Sequence, residues 1–146
     1  WQWHNGEAAE RLPMTLANGS PLTLKGILDR LDEGGAGRTV IDYKMKSKAS
    51  LNKQLMLPGE DVQLPVYALL AGERTTAAAY LSLHEDTVQT VQPEGDIHAL
   101  AADVARRLQA LFEAIHAGAG LPAQGAETVC AQCEMEGLCR RSYWNT

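Results

Sequence analysis

LTLKGILDRLDEGGAGRTVIDYKMKS, residues Leu22 to Ser47, decides how this chain folds. Apolar residues Leu22, Leu24, Ile27, Leu28 and Leu31 precede Gly34-Gly35-Ala36-Gly37, and Val40, Ile41 and Tyr43 follow it. That pattern reads as two strands joined by a tight glycine-rich turn. With the turn centred between Gly35 and Ala36, antiparallel register predicts Asp29 opposite Asp42 and Ile27 opposite Lys44. Side chains alternate across a sheet, so Asp29, Asp42 and Lys44 are expected on one face. Directly opposed positions hold their Cβ atoms about 4.5–5.5 Å apart, where like charges repel. A divalent cation between the carboxylates removes that repulsion, and a neighbouring lysine suits a developing anion.

The 146 residues are enough for one domain with a real core. No run is long and apolar enough to span a bilayer, and Trp1-Gln2-Trp3-His4 is no signal peptide. The net charge of −5 argues against broad attraction to nucleic acid. Locally the balance differs: Lys44, Lys46, Lys48 and Lys53 crowd the segment after Asp42, and Arg140 and Arg141 close the chain's cysteine segment. A basic strip beside a carboxylate pair can hold a phosphate backbone despite an acidic total. Three cysteines, Cys130, Cys133 and Cys139, all near the C-terminus, make no disulfide framework. Their odd number and close spacing point to metal ligation in a reducing compartment, so a cytoplasmic protein is expected.

Glu10 to Ala17 is expected as a first strand, with 18–21 as the turn into the hairpin. Residues 45–59 lack periodicity and contain Pro58-Gly59, so a loop is expected there. A helix should start near Asp61, its expected N-cap, and run to Gly72, with Pro65 near its start. Gln63 and Tyr67 then lie on one helical face. Residues 77–83 and 87–92 read as neighbouring strands across the 84–86 turn. Asp96 caps a long helix whose stripe of Ile97, Leu100, Ala101, Val104, Leu108, Leu111, Phe112 and Ile115 is read as core, ending at Gly118.

Gly26-x-x-Asp29-Arg30-x-Asp32, then Asp42-Tyr43-Lys44, then Gln63-x-x-x-Tyr67 resembles the nuclease domain of the RecB/AddB branch of PD-(D/E)xK enzymes. The resemblance runs from about Glu10 to Arg141. It implies an α/β, restriction-endonuclease-like fold: a mixed central sheet flanked by helices, lacking the family's first helix, with a nuclease-like core over 1–126 and a cysteine segment over 127–146. It implies a DNA exonuclease in repair or recombination, with Mg²⁺ or Mn²⁺ held by Asp29, Asp42 and the main-chain carbonyl of Tyr43. A glutamate before the hairpin often joins such sites, and Glu10, with Glu7 as substitute, is the local candidate. Lys44 would orient or deprotonate the water, or stabilise charge, and Gln63 and Tyr67 would face the substrate. Met45 departs from the pattern, standing where the family commonly has a small hydroxyl residue.

AddB-type nucleases carry a matching cysteine triplet whose fourth cysteine lies far upstream. The resemblance therefore implies a [4Fe-4S] cluster, or alternatively Zn²⁺, in an intact, longer protein with a helicase domain or subunit as partner. A second reading keeps the fold and drops the chemistry: a DNA-binding or scaffolding module that no longer cleaves.

Overall fold

The glycine turn forms where the sequence puts it, but the first of its two strands is broken. The computed structural model describes residues 2–4, 8–57, 61–84, 87–120, 125, 127–131 and 133–139. In it β1 (Gln2–His4) and β2 (Ala8–Thr15) precede β3 (Pro21–Leu28), β4 (Arg30–Gly34) and β5 (Gly37–Lys44). β4 and β5 pair antiparallel from Arg30↔Ile41 to Gly34↔Gly37, which leaves Gly35 and Ala36 as the turn. Carried one step further, this register sets Asp29 level with Asp42. β3 does not follow it. At Asp29 the chain leaves β5, and β3 pairs with β2 in a separate two-stranded sheet. Ile27 accordingly faces Ala9, and the expected Ile27–Lys44 pairing is corrected. β2 pairs with β3 over eight residue positions, and that ladder outweighs extending the hairpin. Upstream, β1 adds a strand against β4 that the sequence does not announce.

After β5 come α1 (Lys48–Leu55), α2 (Gln63–Ala71), β6 (Thr75–Ser82), β7 (Gln89–Val91) and α3 (Ile97–His116). The main sheet has the order β1-β4-β5-β6-β7, with β5 and β6 parallel and the other pairs antiparallel. Parallel neighbours need a crossover connection, and α1 and α2 provide it. The expected mixed central sheet flanked by helices is therefore present.

α1 corrects the expected loop. Ser47 caps it by accepting from the Ser50 N–H at 3.3 Å, and Leu51 is wholly buried. Burying a leucine in this way contributes about 1.5–3 kcal/mol, enough to hold a short polar helix on the sheet. Pro58 and Gly59 lie outside the described residues, as do Glu7, the 85–86 part of the expected turn, Arg140 and Arg141.

Val40 and Asp42 alternate onto one face of β5 and pair with Ala78 and Tyr80 of β6. The core forms on this face from Leu31, Val40, Ala78, Tyr80 and Val91, covered by Leu51, Leu64, Ala68, Ala71, Ile97 and Ala101 from the three helices. α2 packs on β5 and β6 and also on β2 and β3, so it ties the small sheet to the large one. Asp96 caps α3 through the Ala99 N–H at 3.0 Å, as expected. Its stripe is core only in the first half: Ile97, Ala101 and Val104 are buried, while Leu111 is 48 % exposed.

Gly37 sits at φ +130°, where a Cβ would lie 2.6 Å from the Arg74 carbonyl oxygen and from Thr76 Cγ2. Both the backbone angle and the space exclude a side chain, so Gly37→Ala is expected to destabilise the fold by about 1–3 kcal/mol. Urea denaturation checks it: a midpoint unchanged from the parent would contradict this packing.

The unit 114–146, taken by itself, holds the end of α3, then α4 (Glu127–Cys130) and α5 (Glu136–Cys139). Among the described residues no helix is long and apolar enough to cross a membrane.

Candidate active site

Where the core face of β5 reaches its C-terminal end, apolar residues give way to a polar cluster. Asp42 is its centre, only 2 % exposed. Gln63 Nε2, from the first turn of α2, donates to Asp42 Oδ1 at 2.7 Å and to the Tyr67 hydroxyl at 3.0 Å. Lys44 Nζ stands 2.7 Å from Asp42 Oδ2 as its ion-pair partner, yet Oδ2 receives no well-directed hydrogen bond. Asp29, at the break between β3 and β4, is exposed and accepts the Tyr43 N–H through Oδ2 at 3.0 Å. That bond fastens the Asp29 carboxylate to β5 beside Asp42.

α2 can approach this closely because Gly26 has no side chain. A Cβ there would lie 2.5 Å from Leu70 Cδ1 and 3.6 Å from Tyr67 Cε1. α2 begins at Gln63 with Val62 as its N-cap, one residue later than expected, and ends before Gly72 at φ +87°. Asp61 is not the cap residue, although its Oδ1 accepts the Gln63 N–H at 3.1 Å. Asp61 also takes the Tyr80 hydroxyl on both oxygens, at 2.7 and 2.8 Å, and Gln54 Nε2 at 2.7 Å. Tyr80 in turn offers its ring to Lys44, whose Nζ lies 5.2 Å from the centroid.

Sequence reasoning misses the Asp61–Tyr80 link. The two are far apart in the chain and Tyr80 reads as plain strand. The one available signal is Asp61 standing two residues before Gln63, on the approach to the site.

The electrostatics centre on Asp42. Burial pushes its carboxyl above the usual carboxylate range; Lys44 offsets part of this, while Asp29 and Asp61 add to it. Burial and the bond to Asp61 hold the Tyr80 phenol far above its ordinary range, so its hydroxyl remains a donor. Arg30 and Asp32 lie apart, joined as a bidentate pair at 2.7 and 2.8 Å.

Asp29, Asp42, Lys44, Gln63 and Tyr67 are thus brought together. Glu10 is not joined to them by any hydrogen bond among the described residues; it is half-buried on β2, paired with Gly26. Lys46 bonds Gln54 Oε1 at 3.0 Å, while Lys48 and Lys53 are exposed on α1. Met45 is 74 % exposed, so its departure from the family pattern does not crowd the carboxylates.

The Asp29 and Asp42 carboxylates, one bonded to the Tyr43 N–H and the other buried, offer oxygen donors of the kind hard cations take. Asp42 Oδ2, buried and under-satisfied, has acceptor capacity to spare, so the residues fit Mg²⁺ or Mn²⁺. Among the described residues no group of three or more His, Cys, Asp and Glu side chains is gathered for a metal. That applies to the cysteines too. Cys133 donates its N–H to the Cys130 carbonyl at 3.1 Å, Cys139 ends α5, and no disulfide joins them. Among the described residues Cys130, Cys133 and Cys139 are not grouped around one centre.

Comparison with known proteins agrees with this architecture. The model of the PD-(D/E)XK nuclease superfamily matches residues 2–140. Among solved structures the chain is similar to the crystal structure of SSO0001, with a TM-score of 0.50 and 16 % identity. The alignment covers 94 % of this chain and 59 % of that one, a likeness of fold alone. No curated protein matches.

Proposed function

The chain belongs to the PD-(D/E)XK nuclease superfamily, and on that premise we propose that it is a metal-dependent deoxyribonuclease. The observation that supports this most is the buried Asp42 carboxylate, contacted by Lys44 and Gln63 and flanked by Asp29. Asp29, Asp42 and the Tyr43 carbonyl would hold Mg²⁺ or Mn²⁺. When bound, the ion supplies Lewis acidity and water activation for phosphodiester hydrolysis. Lys44 keeps its ammonium at Asp42 and offers positive charge as the phosphate becomes more negative. Gln63 fixes Asp42 and presents the Tyr67 hydroxyl on the substrate side. Glu10, which makes no hydrogen bond to these residues, stays outside the proposed ligand set.

We place the chain in a longer RecB/AddB-type repair or recombination protein in the cytoplasm, acting as an exonuclease beside a helicase domain or subunit. Cys130, Cys133 and Cys139 would join a [4Fe-4S] cluster, or Zn²⁺, only with a fourth ligand and a closer arrangement of the thiols. The direct test is incubation with single-stranded DNA and Mg²⁺ or Mn²⁺. Degradation that EDTA stops supports the reading, and intact DNA at millimolar metal contradicts it.

The raised Asp42 pKa predicts a pH dependence. The folded chain binds that proton more tightly than the unfolded chain, whose carboxyl titrates near 3.8. Ionising Asp42 therefore costs stability as pH rises through the window between the unfolded and folded pKa values, and the cost is absent below it. A cation needs the ionised form, so Mn²⁺ affinity should fall on acidification from a pH above the usual carboxylate range. Calorimetric Mn²⁺ titrations between pH 4 and 8 check this; affinity that holds until pH 4 would contradict it.

A further inference from the structure

Asp61 receives three donors from three elements and makes no contact of its own with Asp42. Gln54 comes from α1, Tyr80 from β6, and the Gln63 N–H from the start of α2. Two of these donors continue into the site. Tyr80 lies under Lys44, and the Gln63 side chain holds Asp42 Oδ1. One carboxylate thus holds both the residue that stacks on Lys44 and the residue that bonds Asp42.

We propose that Asp61 is a positioning residue of the site. Through the Tyr80 hydroxyl and the Gln63 main-chain N–H it sets the side chains that brace Lys44 and Asp42. The inference rests on the nuclease reading and deepens it.

Several features argue for a functional post over a plain tie between elements. A tie between α1 and β6 needs one donor and one acceptor; here Oδ1 accepts the Gln63 N–H, Oδ2 accepts Gln54 Nε2, and the single Tyr80 O–H is shared between them. The arrangement also places a third carboxylate near Asp42, where it adds to the burden on a charge already buried. Stability alone would be served better by an uncharged acceptor. What the carboxylate gains is an acceptor able to hold several donors at once, in short, charge-assisted bonds. Groups bonded directly to a metal ligand, as Gln63 is to Asp42, typically govern metal affinity or activity by about 10–100-fold, and Asp61 acts by holding Gln63 and Tyr80.

The test uses the whole chain with Mn²⁺ alone, followed by electron paramagnetic resonance, and single-stranded DNA cleavage in parallel. Asp61→Ala removes all three acceptor bonds. It is expected to weaken Mn²⁺ affinity by about 10–100-fold and to lower kcat by a similar factor, leaving KM for DNA within about twofold. Asp61→Asn keeps one acceptor oxygen and is expected to recover part of both losses. A role confined to stability would lower the melting temperature and leave Mn²⁺ affinity and kcat of the folded fraction at parental values; that result overturns the proposal. Should Asp61→Ala fail to fold, Tyr80→Phe carries the same test with the same two outcomes. A parent chain that neither binds Mn²⁺ nor cleaves overturns the nuclease reading together with this inference. A parent that does both, beside variants that match it, overturns the inference alone.

Discussion

Asp42→Asn is expected to lower DNA cleavage by more than about 100-fold, beyond the usual upper range for losing an outer partner of a metal ligand. The same change should leave the melting temperature at pH 7 equal to the parent's or higher. The two halves follow from one fact. Asp42 is almost fully buried, and its surroundings favour its neutral form despite Lys44. Asparagine keeps the shape and an oxygen for the Gln63 donor but removes the buried charge. Lys44, with a quarter of its side chain exposed, can be solvated without its partner. A group kept for stability would show the opposite. Parallel measurement of cleavage rate and thermal melting decides, and a large fall in melting temperature with cleavage retained would contradict both halves.

Lys44→Ala is expected to reduce cleavage by about 10²–10³-fold, as for loss of one pre-set charge stabiliser, and here stability should fall as well. The asymmetry with Asp42→Asn is the informative part. Removing Lys44 leaves the Asp42 carboxylate in place and takes away the cation 2.7 Å from Oδ2. An uncompensated buried charge then remains, or the group takes up a proton that a metal has to displace. Added Mn²⁺ should restore part of the lost melting temperature, because the ion replaces the missing positive charge. Melting curves with and without Mn²⁺ check this. No fall in melting temperature without metal would mean that the ion pair does not matter to the buried carboxylate.

The features that sequence periodicity makes legible here are those that follow from local rules. Gly34-Gly35-Ala36-Gly37 fixes a two-residue turn, and the register of Arg30 to Gly34 against Gly37 to Ile41 follows from it. The Asp42-Tyr43-Lys44 alternation and the four-residue spacing of Gln63 and Tyr67 then set which side chains can meet. The break at Asp29 is not legible, because the apolar run through Ile27 and Leu28 continues the strand pattern without a punctuating residue. What redirects β3 is β2, a partner whose pairing is a tertiary matter. α1 escapes notice because Leu51 and Leu55 are its only apolar contacts in a polar stretch, too few to show a period. In α3 the stripe continues through Leu111 although full burial stops at Val104, so pattern and burial part company. Asp61 and Tyr80 meet only because the β5–β6 crossover folds back on the sheet.

Metal binding between the two carboxylates is tested by a crystal of this chain grown with Mn²⁺ and measured for anomalous scattering. A peak is expected between the Asp29 and Asp42 carboxylates and the Tyr43 carbonyl, and it should be lost in Asp42→Asn. A fully occupied peak elsewhere, or none between those two carboxylates at saturating Mn²⁺, would contradict binding there.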